Sequence, residues 1–299
     1  LVNIFFARSN IFHGKGKYEE SAENLITANN IKLRIHKSEA NLLIDKTKKL
    51  KISSDNYESN NQNCENYPMS IFIVGLPRCG STLVESIISL NTKVKDLGEV
   101  NIFEESYREY KQSEKRKSLS EIYWKKLEIT DSKTITTNKW LFNYQYAGII
   151  AKAIPNAKII HCYRNPLDNI LSTYRAHFAT GNNFSSSLVD SAEVYSDQDE
   201  IMRTYKKEFK NHIYSLNYDK LVTHPSDEIK SLIHWLGWSW NDLYLSPHLN
   251  KRKVSTRSNV QVRSPINTKS LGGWKNYKEM LRPAMEIITK KNKYKDLKY

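Results

Sequence analysis

A candidate anion-binding loop begins at Gly75, within the stretch SIFIVGLPRCGSTLVESIISL, residues 70–90. Four residues separate Gly75 from Gly80, and Ser81 and Thr82 follow directly. A nucleotide-hydrolysing loop reads G-x-x-x-x-G-K-[S/T], its backbone N–H groups cradling phosphates and its lysine reaching the β- and γ-oxygens. Here the frame is complete, but Ser81 stands where that lysine belongs. What remains is an apolar run ending in glycine, a tight turn that carries Arg78, and a helix start at Ser81. The N–H groups of a helix start form an anion site by themselves, and the hydroxyls of Ser81 and Thr82 add donors. A loop without lysine suits a phosphate-like group of lower charge than a triphosphate. A phosphosulfate is such a group: its sulfuryl oxygens carry less charge than phosphoryl ones, so a metal is dispensable.

A second segment, KIIHCYRNPLDNILSTY, puts Arg164 at the end of an apolar run and Ser172 eight residues later. Arginine offers a planar fork of donors for an anionic oxygen group, and the serine hydroxyl lies about two helical turns along. Taken alone, this pattern is equally that of a capped helix start. A third segment, VQVRSPINTKSLGGWKNY, brings Arg263, Ser270 and a Gly272–Gly273 pair. Glycine is scarce here, and half of the ten (Gly75, Gly80, Gly98, Gly272, Gly273) fall in or beside these segments. That concentration matters because glycine lets backbone approach a ligand closely.

Stepping outward, buried-strand runs occur at SIFIVG, KTITTN, AKIIHCYR and HIYSLNY. Helical patterns separate them at residues 81–91, 142–153, 167–178, 190–210 and 226–236. Strands alternating with helices predict an α/β fold with a central parallel sheet flanked by helices. Residues 1–50 read as helical: Tyr18, Ala22, Leu25 and Ala28 share one stripe behind a Gly14–Gly16 turn. This pattern resembles the last unit of a tetratricopeptide array, and a plain helical hairpin is the equal alternative. Residues 51–68 are polar, without periodicity, and read as a linker, leaving residues 69–299 as the main domain.

The totals set further bounds. The 299 residues are 39 % hydrophobic and 26 % charged, as in an ordinary globular protein. No apolar run reaches the roughly 20 residues of a membrane span, and no leader pattern is visible in a chain that opens at Leu1. The three cysteines, Cys64, Cys79 and Cys162, lack metal or redox spacing. These features predict a soluble, cytoplasmic protein without a metal site. The net charge of +14 points either to anionic partners or to a solvated, lysine-rich surface.

The phosphate loop IFIVGLPRCGSTLVESIIS resembles the 5′-phosphosulfate loop of the sulfotransferases that use 3′-phosphoadenosine 5′-phosphosulfate (PAPS). That family usually has serine or threonine where this chain has Cys79. The RNPLD segment resembles the family's 3′-phosphate motif, which implies that Arg164 and Ser172 clamp the ribose 3′-phosphate. The third segment resembles the closing loop of protein-tyrosine sulfotransferases and of bacterial sulfotransferases with tetratricopeptide repeats, the nearest relatives by pattern. Its matches are Gln261, Val262, Pro265, Ser270 and Trp274, with Arg263 within reach of a phosphate. A serine found nearer the tryptophan in some relatives is Gly272 here.

By the same resemblance, Glu99 is the general base, Arg78 and Lys139 stabilise the transition state, and Tyr218 packs near the adenine. Cys79, Gly80, Ser81 and Thr82 complete the cofactor loop. Read without the resemblance, Glu99 is also an ordinary surface carboxylate, Lys139 a strand-end lysine and Tyr218 a core tyrosine. His161 reads as a core histidine and His177 as a satisfied one. The implied function is sulfuryl transfer from PAPS to a hydroxyl of protein tyrosine, carbohydrate or a small alcohol, a peptide or protein acceptor among them. The alternatives are a P-loop kinase or ATPase, which the missing lysine disfavours, and a basic module that binds nucleic acid without catalysis.

Overall fold

The computed structural model describes residues 1–58, 67–113, 117–129, 131–250 and 263–298 of the chain. It opens with three helices, α1 (Val2–Gly14), α2 (Tyr18–Ile35) and α3 (Ala40–Asp55). The turn between the first two needs Gly16, at φ +73°, a left-handed conformation that glycine adopts without a steric penalty. The third helix continues through the first residues of the expected polar linker. Residues 59–66, with Cys64 among them, lie outside the described residues.

The remainder alternates strand and helix. It runs β1 (Met69–Gly75), α4 (Ser81–Ile88), β2 (Val94–Asp96), α5 (Ile102–Gln112), α6 (Leu119–Lys126), β3 (Ile135–Asn138), α7 (Ala147–Ala153) and β4 (Ala157–Tyr163). Then follow α8 (Pro166–Tyr174), α9 (Leu188–Glu208), β5 (Ile213–Asn217), α10 (Tyr218–Thr223), α11 (Pro225–Trp235) and α12 (Lys278–Ile288). The five strands form one sheet in the order β2-β3-β1-β4-β5, every pair parallel. As read from sequence, β1 is buried along nearly its whole length, the mark of a strand covered on both faces. The strand β2 and the helices α5 and α6 were not foreseen. α6 opens with a capping box, Ser118 and Glu121 each satisfying the other's backbone N–H.

Two compact units divide the chain, and neither is continuous in sequence. One comprises Thr47–Tyr163 and Glu200–Thr268; the other comprises Leu1–Lys46, Arg164–Asp199 and Lys269–Tyr299.

The first unit holds the sheet. On one face, Ile71, Ile73, Ile160 and Leu216 pack with Val84, Ile87 and Ile88 of α4 and with Ile229, Leu232 and Ile233 of α11. On the other, the Phe72 ring meets Phe103 of α5 at 5.7 Å and Tyr123 of α6 at 5.6 Å, centroid to centroid. β1 is the middle strand, and the chain moves from one side of it to the other between β3 and β4. In such sheets ligands bind beyond the carboxyl ends of the strands at this reversal.

In the second unit α1 and α2 share a buried polar network with the segment ahead of α12. Ser21 Oγ donates to the Ser9 carbonyl (2.9 Å), and the Tyr277 hydroxyl lies 2.8 Å from both Ser21 Oγ and His13 Nδ1. Asn29 Nδ2 donates to the Tyr174 carbonyl at the end of α8 (3.1 Å). Among the described residues no helix is long and apolar enough to cross a membrane.

Candidate active site

Nine of the residues singled out above follow the carboxyl end of a strand. Arg78 to Thr82 follow β1, Glu99 follows β2, Lys139 follows β3, Arg164 follows β4 and Tyr218 follows β5. These positions fall in two clusters, one in each unit.

The phosphate loop belongs to the sheet unit. Gly80 is the N-cap of α4 in the left-handed region, φ +94°, so no side chain caps the helix. A Cβ on Gly80 would lie 2.2 Å from Cδ2 of Tyr218, closer than any carbon contact allows. The bare backbone of the loop is therefore required by the ring beneath it, and Tyr218 sits against the loop. Arg78 also takes a left-handed φ of +69°, uncommon outside glycine and associated with functional turns. Ser81, Thr82 and Cys79 are buried.

Below the loop, Gly75 and Cys162 are cross-strand partners. A Cβ on Gly75 would meet the Cys162 carbonyl at 2.4 Å and Cys79 Sγ at 3.0 Å. The two thiols lie together there. The hydrogen bond to Cys79, and then burial, push the Cys162 thiol up, whereas that same bond from Cys162 and the Ser81 N–H draw Cys79 down.

Lys139 and Glu99 come together. Their ammonium and carboxylate form a short hydrogen-bonded ion pair. The lysine side chain is 1 % exposed and the glutamate 45 %, so the pair has an inner, dry end and an outer end open to solvent. Local structure fixes both roots. Asp96 Oδ1 accepts from the Gly98 N–H (2.9 Å) and from Thr137 Oγ1 (3.4 Å), shaping the turn that carries Glu99. Gly98 makes that turn at φ +69°, and its carbonyl accepts from the Lys139 N–H at 2.9 Å. Asn138 braces the chain around the lysine, donating to the Val100 carbonyl (3.1 Å) and accepting from the Trp140 N–H (3.0 Å). On the inner side Glu85 Oε2 of α4 lies 3.8 Å from Lys139 Nζ, and its side chain is equally buried.

Arg263 is exposed and donates to the Asn250 carbonyl; Asn250 Nδ2 in turn donates to the Ser86 carbonyl of α4 at 2.9 Å. Gln261 and Val262 lie outside the described residues. His161 is buried in β4, its ring 5.5 Å from that of Tyr163.

The second cluster lies in the helical unit. Arg164 is buried, and its Nη2 donates to the Ser270 carbonyl at 2.6 Å. Asn165 caps α8, accepting from the Leu167 and Asp168 N–H groups, with Pro166 at the first helical position. Asp168, one turn into that helix, accepts from the Gly272 N–H (2.8 Å) and the Trp274 N–H (3.0 Å), and lies 3.9 Å from Arg164. Arg164, Asp168, Ser270, Gly272 and Trp274 are thus one hydrogen-bonded assembly, with Gly272 left-handed at φ +69°. Ser172 is half-buried further along α8. His177 stacks on Phe6 of α1, ring centroids 4.8 Å apart.

Sequence reasoning passed over Asp168 and Glu85. Asp168 stood inside the quoted RNPLD motif, and its carboxylate one turn from Arg164 was the available signal. Glu85 offered only an acid inside an apolar helix face.

Residues 112–242 match the sequence model of the sulfotransferase family. An uncharacterized protein of Aquifex aeolicus is 31 % identical over 242 residues, covering 73 % of this chain and 32 % of that protein. Protein-tyrosine sulfotransferase 1 of Danio rerio is 24 % identical over 232 residues, 68 % of this chain and 65 % of that one. The chain therefore spans less than two thirds of either relative's length. In fold it is similar to the sulfotransferase domain from the curacin biosynthetic pathway, with a TM-score of 0.53 at 15 % identity, covering 74 % of this chain and 98 % of that one. It is also similar to mouse sulfotransferase SULT7A1 complexed with PAP, with a TM-score of 0.51 at 17 % identity, covering 78 % of this chain and 89 % of that one. Residues 112–242 thus carry the sequence pattern of the sulfotransferase family, on a parallel-sheet fold shared with solved sulfotransferase structures.

Proposed function

We propose that this chain transfers a sulfuryl group from PAPS to a hydroxyl-bearing acceptor. The observation that carries the reading is the buried Lys139 beside a phosphate loop that lacks its own lysine, paired with a solvent-facing carboxylate, Glu99. The loop fits a phosphate-like group: its N-cap is bare glycine held against the Tyr218 ring, and no side-chain hydrogen bond caps the start of α4. PAPS supplies the sulfuryl group and leaves as PAP, adenosine 3′,5′-bisphosphate.

The chain's own residues divide the work. Glu99 receives the acceptor's hydroxyl proton as the new O–S bond forms. Lys139 and Arg78 offset the negative charge that gathers on the departing phosphate oxygen as the old S–O bond breaks. Backbone and hydroxyl donors of Cys79 to Thr82 hold the 5′ end, with Tyr218 against the loop. Arg164 and Ser172 recognise the 3′-phosphate, and the turn through Ser270 and Gly272, with Arg263, closes over the nucleotide. No metal enters this scheme. Peptide tyrosine is the first acceptor class to try, since the Danio rerio relative bears that specificity in its name.

The test is thermal unfolding with PAP, with adenosine 5′-phosphate and with ATP. A ligand at about 100 times its Kd stabilises by about 2.7 kcal/mol. PAP is expected to raise the melting temperature without Mg²⁺, and the nucleotide lacking the 3′-phosphate to do so far less. Equal responses to all three nucleotides would sink the reading.

A further inference from the structure

The reaction just described leaves one buried charge unused. Glu85 projects from α4, the helix that the phosphate loop begins, and its side chain is 1 % exposed. A carboxylate taken out of water is costly unless a cation is held against it. The cation here is Lys139, 3.8 Å away and just as buried. Lys139 is therefore flanked by two carboxylates of different kinds: Glu99 on a loop open to solvent, Glu85 on a rigid helix inside. The thiols of Cys79 and Cys162 face the same ammonium, but neither supplies a fixed carboxylate.

This asymmetry has a consequence for catalysis. Glu99 must turn from the lysine to the acceptor's proton, and once protonated it is no longer a counter-charge. At that moment Glu85 is the carboxylate still paired with Lys139. We propose that Glu85 is a positioning residue, the permanent counter-charge that keeps the Lys139 ammonium seated beside the phosphate loop while Glu99 engages the acceptor. This rests on the sulfotransferase reading above. It adds an anchor for the lysine that is separate from the general base.

The experiment uses the full chain labelled with ¹⁵N-lysine, in which ammonium groups held in ion pairs give observable side-chain resonances. The Lys139 signal is assigned by its loss in Lys139→Arg. It is expected to persist in Glu99→Gln, where Glu85 is the carboxylate that remains against the ammonium, and to vanish in Glu85→Gln/Glu99→Gln. Its loss in Glu99→Gln alone would overturn the proposal. In parallel, Glu85→Gln should lower kcat by about tenfold to a hundredfold, the scale of a small misplacement of a catalytic group, with PAP Kd within about twofold of wild type. A loss confined to PAP affinity overturns it too. Should Glu85→Gln fail to fold, the double variant Glu85→Gln/Lys139→Met decides the matter. Removing both charges should restore folding, and a double variant no more stable than the single one refutes the coupling. The resonance needs no sulfuryl donor, so an enzyme that ignores PAP would sink the sulfotransferase reading separately.

Discussion

Replacing Asp168 by asparagine changes one oxygen to NH₂ and should loosen the turn at Gly272–Trp274. In the wild type both carboxylate oxygens are occupied, one by the Gly272 N–H at 2.8 Å and one by the Trp274 N–H at 3.0 Å, in a buried side chain. Hydrogen bonds to charged groups contribute about 1.5–3 kcal/mol and neutral ones about 0.5–1.5 kcal/mol. The amide keeps one acceptor, now uncharged, and turns an N–H donor toward the other backbone N–H. One charged bond is lost and the second is weakened, so the expected cost is about 2–4 kcal/mol. That is a large part of a typical stability of about 5–15 kcal/mol, yet leaves the chain folded. Urea unfolding reads the total, and amide hydrogen exchange reads the place: the Gly272 and Trp274 N–H groups should exchange faster while the sheet amides do not. A variant within about 0.5 kcal/mol of wild type, with both amides still slow, would refute the reasoning.

Three further outcomes are expected. Arg164→Ala should weaken PAP binding by about 1.5–3 kcal/mol and shrink the preference for 3′-phosphorylated nucleotides, as isothermal titration would show. Glu99→Gln keeps the size of the side chain but cannot accept the proton; single-turnover sulfuryl transfer should slow by about 10²–10⁴-fold with PAP affinity near wild type. Burial and the neighbouring Arg175 guanidinium hold the His13 imidazole below its ordinary value near 6.5. Arg175 Nη1 can only donate to His13 Nε2, at 3.1 Å, so the neutral ring fits and the charged one does not. The unfolded chain then takes up this proton first. Stability from this group is therefore full above about pH 6.5 and declines as pH falls toward the folded-state value. His13→Asn should flatten that part of a plot of unfolding free energy against pH.

Some of this was legible in the residues and some was not. The strands β1 and β4 announce themselves as apolar runs because a parallel strand buried on both faces has no polar alternation. β2 is only three residues, Val94–Asp96, at the sheet edge, too short for any periodicity to register. The stripe on α2 was seen through Leu25 and Ala28, which are fully buried, but its partners in α8 and ahead of α12 are more than a hundred residues away. Pattern reading sees neighbours along the chain, so contacts of this separation leave no mark in it. The same limit applies to the site. Glu99 and Lys139, named for separate roles, form an ion pair. Asp168 and Glu85 escaped because what makes each matter is a distant partner, Gly272 and Trp274 for one and Lys139 for the other.

Whether the lysine-free loop serves sulfuryl transfer is read out with PAPS labelled in its sulfur. The chain is incubated with the labelled donor, a pool of tyrosine peptides, carbohydrates and small alcohols, and a metal chelator. Label is expected on an acceptor hydroxyl, with PAP released in equal amount and both lost in Lys139→Met. No label on any acceptor, together with phosphate released from ATP only when Mg²⁺ is restored, would contradict that role for the loop.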